Sequence, residues 1–127
     1  MNPASPPPAA LQPLLEALRA AALACPTAWE DTPWGDLVTK TGAGRIFVFW
    51  SASEAHIGLS VKLGPSHATT STRPGVTPTA YGLGRAGWLS LRIEAPGAFS
   101  TAELVAFIHE SFRAVAPKRL GAQLPPA

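Results

Sequence analysis

The sequence predicts an α+β domain: an antiparallel sheet of about five strands with an N-terminal and a C-terminal helix packed on one face. Three observations carry this. Two segments near the ends of the chain repeat apolar residues at helical spacing, while the middle alternates at strand spacing. The central strands are joined by short turns, which only antiparallel neighbours accept. The chain has 127 residues, of which 46% are hydrophobic, enough for one core. The expected organisation is a proline-rich, disordered tail at 1–10, a single domain at 11–120 and a second tail at 121–127. Pro3, Pro6, Pro7 and Pro8 crowd the first eight positions, and Pro125 and Pro126 the last three.

The first helix is expected from about Gln12 to Ala24, with Pro13 in its first turn, where a missing N–H costs nothing. Leu11, Leu14, Leu15, Leu18 and Ala22 form its apolar stripe, and Cys25, held out of the α region by Pro26, ends it. Glu30 and Asp31 then fall in a loop. Asp36–Lys40 and Arg45–Trp50 read as a hairpin around Thr41-Gly42-Ala43-Gly44. Ile46 to Trp50 is apolar at every position, as a strand covered on both faces would be. Ile57, Leu59, Val61 and Leu63 alternate with polar or small residues in a half-buried strand. Ser66–Thr72 is an ambiguous helical segment, weakened by its Ser and Thr content. Val76–Ala80 is extended. Trp88–Glu94 is a strand with Leu89, Leu91 and Ile93 on one face and Trp88, Ser90, Arg92 and Glu94 pointing outward. In the last helix Ser100 and Glu103 have capping-box spacing, Phe99 and Leu104 the spacing of a hydrophobic staple, and Pro117 the stop. Leu104, Phe107, Ile108, Phe112 and Val115 supply its buried stripe.

Motifs for chemistry are few. Gly82-Leu83-Gly84-Arg85-Ala86-Gly87 matches a dinucleotide fingerprint in letters, but it leads into a strand instead of opening a helix after one. His56, His67 and His109 are dispersed, without the spacing of a helical metal site. Cys25 excludes an internal disulfide and, at a helix C-terminus, has no device to form a thiolate. No catalytic constellation emerges, so the expectation is a non-enzymatic protein without cofactor or metal. A pocket lined by Trp34, Tyr81 and His56 would revive an enzyme reading. One cysteine, no signal-like leader and no apolar run near ~20 residues give the expectation of a cytoplasmic protein that does not span a membrane.

Charge is the remaining functional signal. Residues 1–36 carry net −3 and residues 37–127 net +5. Lys40 and Arg45 flank the first hairpin, Lys62 and Arg92 leave strands outward, and Arg73 and Arg85 lie in loops. Arg113, Lys118 and Arg119 mark the end of the last helix. With Trp88, Phe47 and Phe49 interleaved, such hairpins can hold phosphates and stack bases.

The stretches Asp31-Thr32-Pro33-Trp34-Gly35, Gly44-Arg45-Ile46-Phe47-Val48 and Ile57-Gly58-Leu59-Ser60-Val61-Lys62 resemble the MmcQ/YjbR family of small bacterial proteins. So do Pro74-Gly75-Val76, Tyr81 to Arg85, Gly87-Trp88-Leu89-Ser90-Leu91 and the helix from Ser111-Phe112-Arg113 to Leu120. The likeness is colinear over residues 11–120. It implies a two-layer fold similar to secretion-chaperone-like and CyaY-like architectures, with Val76–Ala80 as a further strand. It also implies DNA binding through a double wing of hairpins. Ser66–Thr72 departs from the family, where this stretch is acidic. The expected function is therefore weak, sequence-nonspecific binding of double-stranded DNA through Lys40, Arg45, Lys62, Arg85 and Arg92. The alternative is a protein- or peptide-interaction module, or a homodimer, using the sheet face and an outward Trp88.

Overall fold

The computed structural model describes residues 7–125. Of the two expected tails, residues 1–6 and 126–127 lie outside the described residues. A single 3-10 turn at Ala9–Leu11 leads into α1 (Gln12–Leu23), with Pro13 in its first turn. Leu11, Leu15, Leu18 and Ala22 are buried and Leu14 partly so.

Six antiparallel strands follow: β1 (Ala28–Asp31), β2 (Val38–Thr41), β3 (Arg45–Ala52), β4 (Ile57–Lys62), β5 (Val76–Pro78) and β6 (Trp88–Ile93). Their order across the sheet is β1-β2-β3-β4-β6-β5. Between β4 and β5 lies α2 (His67–Thr70), a single turn. The chain closes with α3 (Thr101–Val115) and the short α4 (Lys118–Gly121). The α+β class and the helical layer are as the sequence predicts. The extra strand is β1, in the segment expected to be a loop. It sits at the sheet edge, pairing Trp29 with Lys40 and Asp31 with Val38. Beyond Leu120, Gly121 is buried and Leu124 packs against the core.

The core lies between the helices and the inner face of β3, β4 and β6, where Ile57, Leu59, Val61, Leu89, Leu91 and Ile93 alternate inward. The pairing of β2 with β3 slips between Thr39 and Lys40, leaving Phe47 without a partner in register. This bulge lets two consecutive residues, Phe47 and Val48, both be fully buried. Phe47 meets Phe112 of α3 edge to face, with ring centroids 5.1 Å apart. The α3 N-cap is Ser100, whose hydroxyl accepts the Glu103 N–H at 3.0 Å. The Glu103 carboxylate, which would close a capping box, instead pairs with Arg73 at 2.6 Å.

The pairing of β3 with β4 ends at Phe49 and Ser60, short of Phe47 and Lys62. Ser111, fully buried on α3, donates its hydroxyl to the Phe47 carbonyl at 2.6 Å and accepts the Lys62 N–H at 2.8 Å. One hydroxyl thus fastens the helix to two strands. Ser111→Ala strands a buried carbonyl and a part-buried N–H, at about 1–3 kcal/mol for each unsatisfied group. We expect a loss of about 2–4 kcal/mol in urea unfolding; a change under about 0.5 kcal/mol would show the bridge to be idle.

Candidate functional site

The helices occupy one face of the sheet, and the outer face is partly roofed by two loops. The loop at 32–37 turns through Thr32-Pro33-Trp34-Gly35, where the Gly35 N–H bonds the Thr32 carbonyl at 3.2 Å and Gly35 takes a φ of 85°. The loop from Thr79 to Gly87 is held by Thr79 N–H to the Trp88 carbonyl and Gly84 N–H to the Thr79 carbonyl. It contains a 3-10 turn at Leu83–Ala86 between two left-handed glycines, Gly82 and Gly87. The glycine-rich motif is therefore the turn that starts β6.

Between these loops the outer face holds a cavity of about 440 Å³. Its floor is Val38, Phe49, Ser60 and Ser90, and its walls include Trp34 and Tyr81. Trp34 is 72% exposed and Tyr81 wholly exposed. Tyr81 has a φ of 60°, a left-handed conformation uncommon for a non-glycine residue. The floor hydroxyls satisfy one another, Ser60 with Ser90 at 2.7 Å and Thr79 with Ser90 at 3.0 Å. His56 is not part of this group. It lines a separate space of about 250 Å³ with Arg92, Ser51 and Gly58, its ring nitrogen 2.7 Å from the Ser53 hydroxyl. Burial, and then the Arg92 charge, holds its pKa below the ordinary histidine value.

Trp88 belongs to the outer face, opposite Lys62, as expected, but it is only 7% exposed and packs edge to face on Phe49 at 5.3 Å. Phe47 faces the helices. Neither is a stacking platform; the exposed aromatic rings are Trp29, Trp34 and Tyr81.

The five expected DNA contacts separate into two kinds. Lys40 donates to Asp31 at 2.7 Å and sits 5.1 Å from the centre of the Trp29 ring. The Lys40 ammonium, followed by the Thr32 N–H, holds the Asp31 carboxyl below the usual carboxylate range. Arg92 pairs with Glu94 at 2.8 Å, at the far end of β6. Arg45 is exposed and caps α3, one guanidinium nitrogen meeting the Val115 carbonyl at 3.0 Å. Lys62 and Arg85 have no carboxylate partner among the described residues.

The topology then gathers charges at opposite ends. Arg45 begins β3, Lys62 ends β4, and Arg85 precedes β6, whose first residue lies opposite Lys62. These antiparallel neighbours bring all three to one end of the sheet. The Arg45 bond to Val115 puts the C-terminus of α3 there too, followed by Lys118 and Arg119. Arg113 lies in that last helical turn. The acid at this end, Glu110, is engaged by the N–H groups of Gly64 and Ser66 and by the Ser66 hydroxyl. Glu54, Glu94 and Glu103 lie at the opposite end, beside the β3–β4 turn, the end of β6 and the start of α3.

Cys25 offers no nucleophile: burial raises its pKa to about 11. Among the described residues no group of three or more His, Cys, Asp or Glu is arranged to hold a metal, and no helix is long and apolar enough to cross a membrane.

This is a small α+β domain with a helix-backed antiparallel sheet and a partly open outer face. A similar fold is seen in the crystal structure of the Deinococcus radiodurans protein DR2400, which carries a DUF419 domain. The TM-score is 0.64 at 19% sequence identity, over 77% of this chain and 75% of that chain. No family model and no curated protein matches the chain. The likeness is one of fold.

Proposed function

We propose that the protein is a non-enzymatic binding domain that contacts the phosphate backbone of double-stranded DNA weakly and without sequence preference. The observation that carries this reading is the cluster of cations at one end of the sheet: Arg45, Lys62 and Arg85 with Arg113, Lys118 and Arg119. None of the six has a carboxylate partner among the described residues. The resemblance to the MmcQ/YjbR family supports the same reading. The contact set differs from the sequence expectation, because Lys40 and Arg92 are engaged by Asp31 and Glu94.

Four to six phosphate contacts make affinity strongly salt-dependent through counterion release. Fluorescence anisotropy with a labelled random 16-mer duplex should show affinity falling about 10²- to 10³-fold between 50 and 200 mM salt. Scrambling the duplex sequence should leave the affinity unchanged. No binding at 50 mM, or binding indifferent to salt, would refute the reading.

A further inference from the structure

The outer-face cavity is remote in character from the basic end, and its lining points to a different ligand. Its volume, about 440 Å³, falls within the range of roughly 300–1,000 Å³ typical of small-molecule sites. It is bordered by one exposed indole residue, Trp34, and one exposed phenol residue, Tyr81. Large exposed aromatic side chains sacrifice burial that the core would have rewarded, and here two of them border one space. Asp36 is the one charged residue lining it, in a chain of net charge +2. That carboxylate is exposed and makes no ion pair or hydrogen bond among the described residues, unlike its neighbours Glu30 and Asp31, which bind Arg19 and Lys40. The floor adds no competing demand, since the hydroxyls of Ser60, Thr79 and Ser90 bond to one another. The left-handed Tyr81 is a local backbone cost at the rim of this space.

We propose that this cavity is a binding site for a small organic cation of the quaternary or alkylated ammonium class. The faces of Trp and Tyr rings carry negative electrostatic potential and attract a cation that is too weakly hydrated to prefer water. Asp36 supplies the compensating full charge. The apolar floor at Val38 and Phe49 accepts the methyl groups that such a cation carries. An inorganic cation would gain little here, with a single free carboxylate and no cluster of oxygen ligands.

Choline is the probe, and its neutral carbon isostere 3,3-dimethyl-1-butanol is the control. Both are titrated at constant ionic strength, following the indole N–H signal of Trp34 and the amides of residues 36 and 79–83 by NMR. Choline should give saturable shifts confined to these residues, at a Kd at least about fivefold below that of the isostere, as a cation–π contribution of ordinary size requires. Trp34→Ala should weaken choline about tenfold and Asp36→Asn about threefold. Both positions are exposed, so the variants should keep the wild-type circular dichroism and denaturation midpoint. Equal binding of the isostere would reduce the site to an apolar hollow and overturn the proposal. So would the absence of saturable shifts, or shifts that survive Trp34→Ala unchanged.

Discussion

Phe112→Ala should lower the stability of the protein by about 3–5 kcal/mol, the cost of removing a fully buried phenyl group from a packed core. The ring is wholly inaccessible and meets Phe47 at 5.1 Å with an interplanar angle of 83°, the edge-to-face geometry that adds to simple burial. It also stands at the point where the bulge of β3 turns Phe47 inward and where the neighbouring Ser111 fastens the helix. A cavity there cannot be closed by sliding α3 toward the sheet without breaking the Ser111 bonds to Phe47 and Lys62. Helix propensity does not confound the change, because alanine is the best helix former. A domain of this kind has a total stability of about 5–15 kcal/mol, so the variant should be destabilised by a substantial fraction of the whole. Urea unfolding followed by circular dichroism should show a lower midpoint with an unchanged slope. Leu23→Ala, on the exposed side of α1, should move stability by about 0.5 kcal/mol or less. A Phe112→Ala loss under about 1 kcal/mol would mean that the Phe47–Phe112 contact is not the centre of the core.

The helices were legible because their signals are local. In α3 the cap, the apolar stripe and the stopping proline all lie within the segment itself, and Ser100, Phe112 and Pro117 fall where the spacing puts them. Strands β3, β4 and β6 were legible for the same reason, through runs or alternation of apolar residues. The edge strand β1 was not. Ala-Trp-Glu-Asp has no alternation, and three of its four residues are depleted in sheets. What holds it is tertiary: pairing with β2, the Lys40 contacts with Asp31 and Trp29, and the bidentate Arg19–Glu30 pair.

Period two places Trp88 on the outer face but does not say how far that face is covered. A face opposite the helices is not the same as a face in water, and Phe49 from two strands away covers the ring. The site shows the same division. Composition could identify ten cations and eight anions, but which of them neutralise one another depends on strand register and helix ends. Likewise Trp34 and Tyr81 are visible as residues, and only the two loops folded over the outer face bring them to one cavity, while His56 is taken to another.

Because register decides which cations are spent, the DNA reading makes a prediction that charge counting does not. Reversing Arg45, Lys62 and Arg85 together to Glu should weaken duplex binding by about a thousandfold at 50 mM salt, roughly tenfold for each lost phosphate contact. All three side chains lie at the same end of the sheet and make no ion pair that the change would break. Arg45 does cap the last turn of α3, so its reversal also costs about 0.3–1 kcal/mol of stability, well below the total. The salt slope for whatever binding remains should become shallower by about one unit of log affinity per log salt for each contact removed. Arg92→Glu is the matched control: its guanidinium belongs to Glu94 at the opposite end, so affinity should change by less than about twofold at the same salt. Anisotropy at several salt concentrations reads all of these together. If the single Arg92 reversal cost as much as the triple one, binding would be following net charge and no basic end would exist. If the triple variant bound like the wild type, the phosphates would have to meet some other surface.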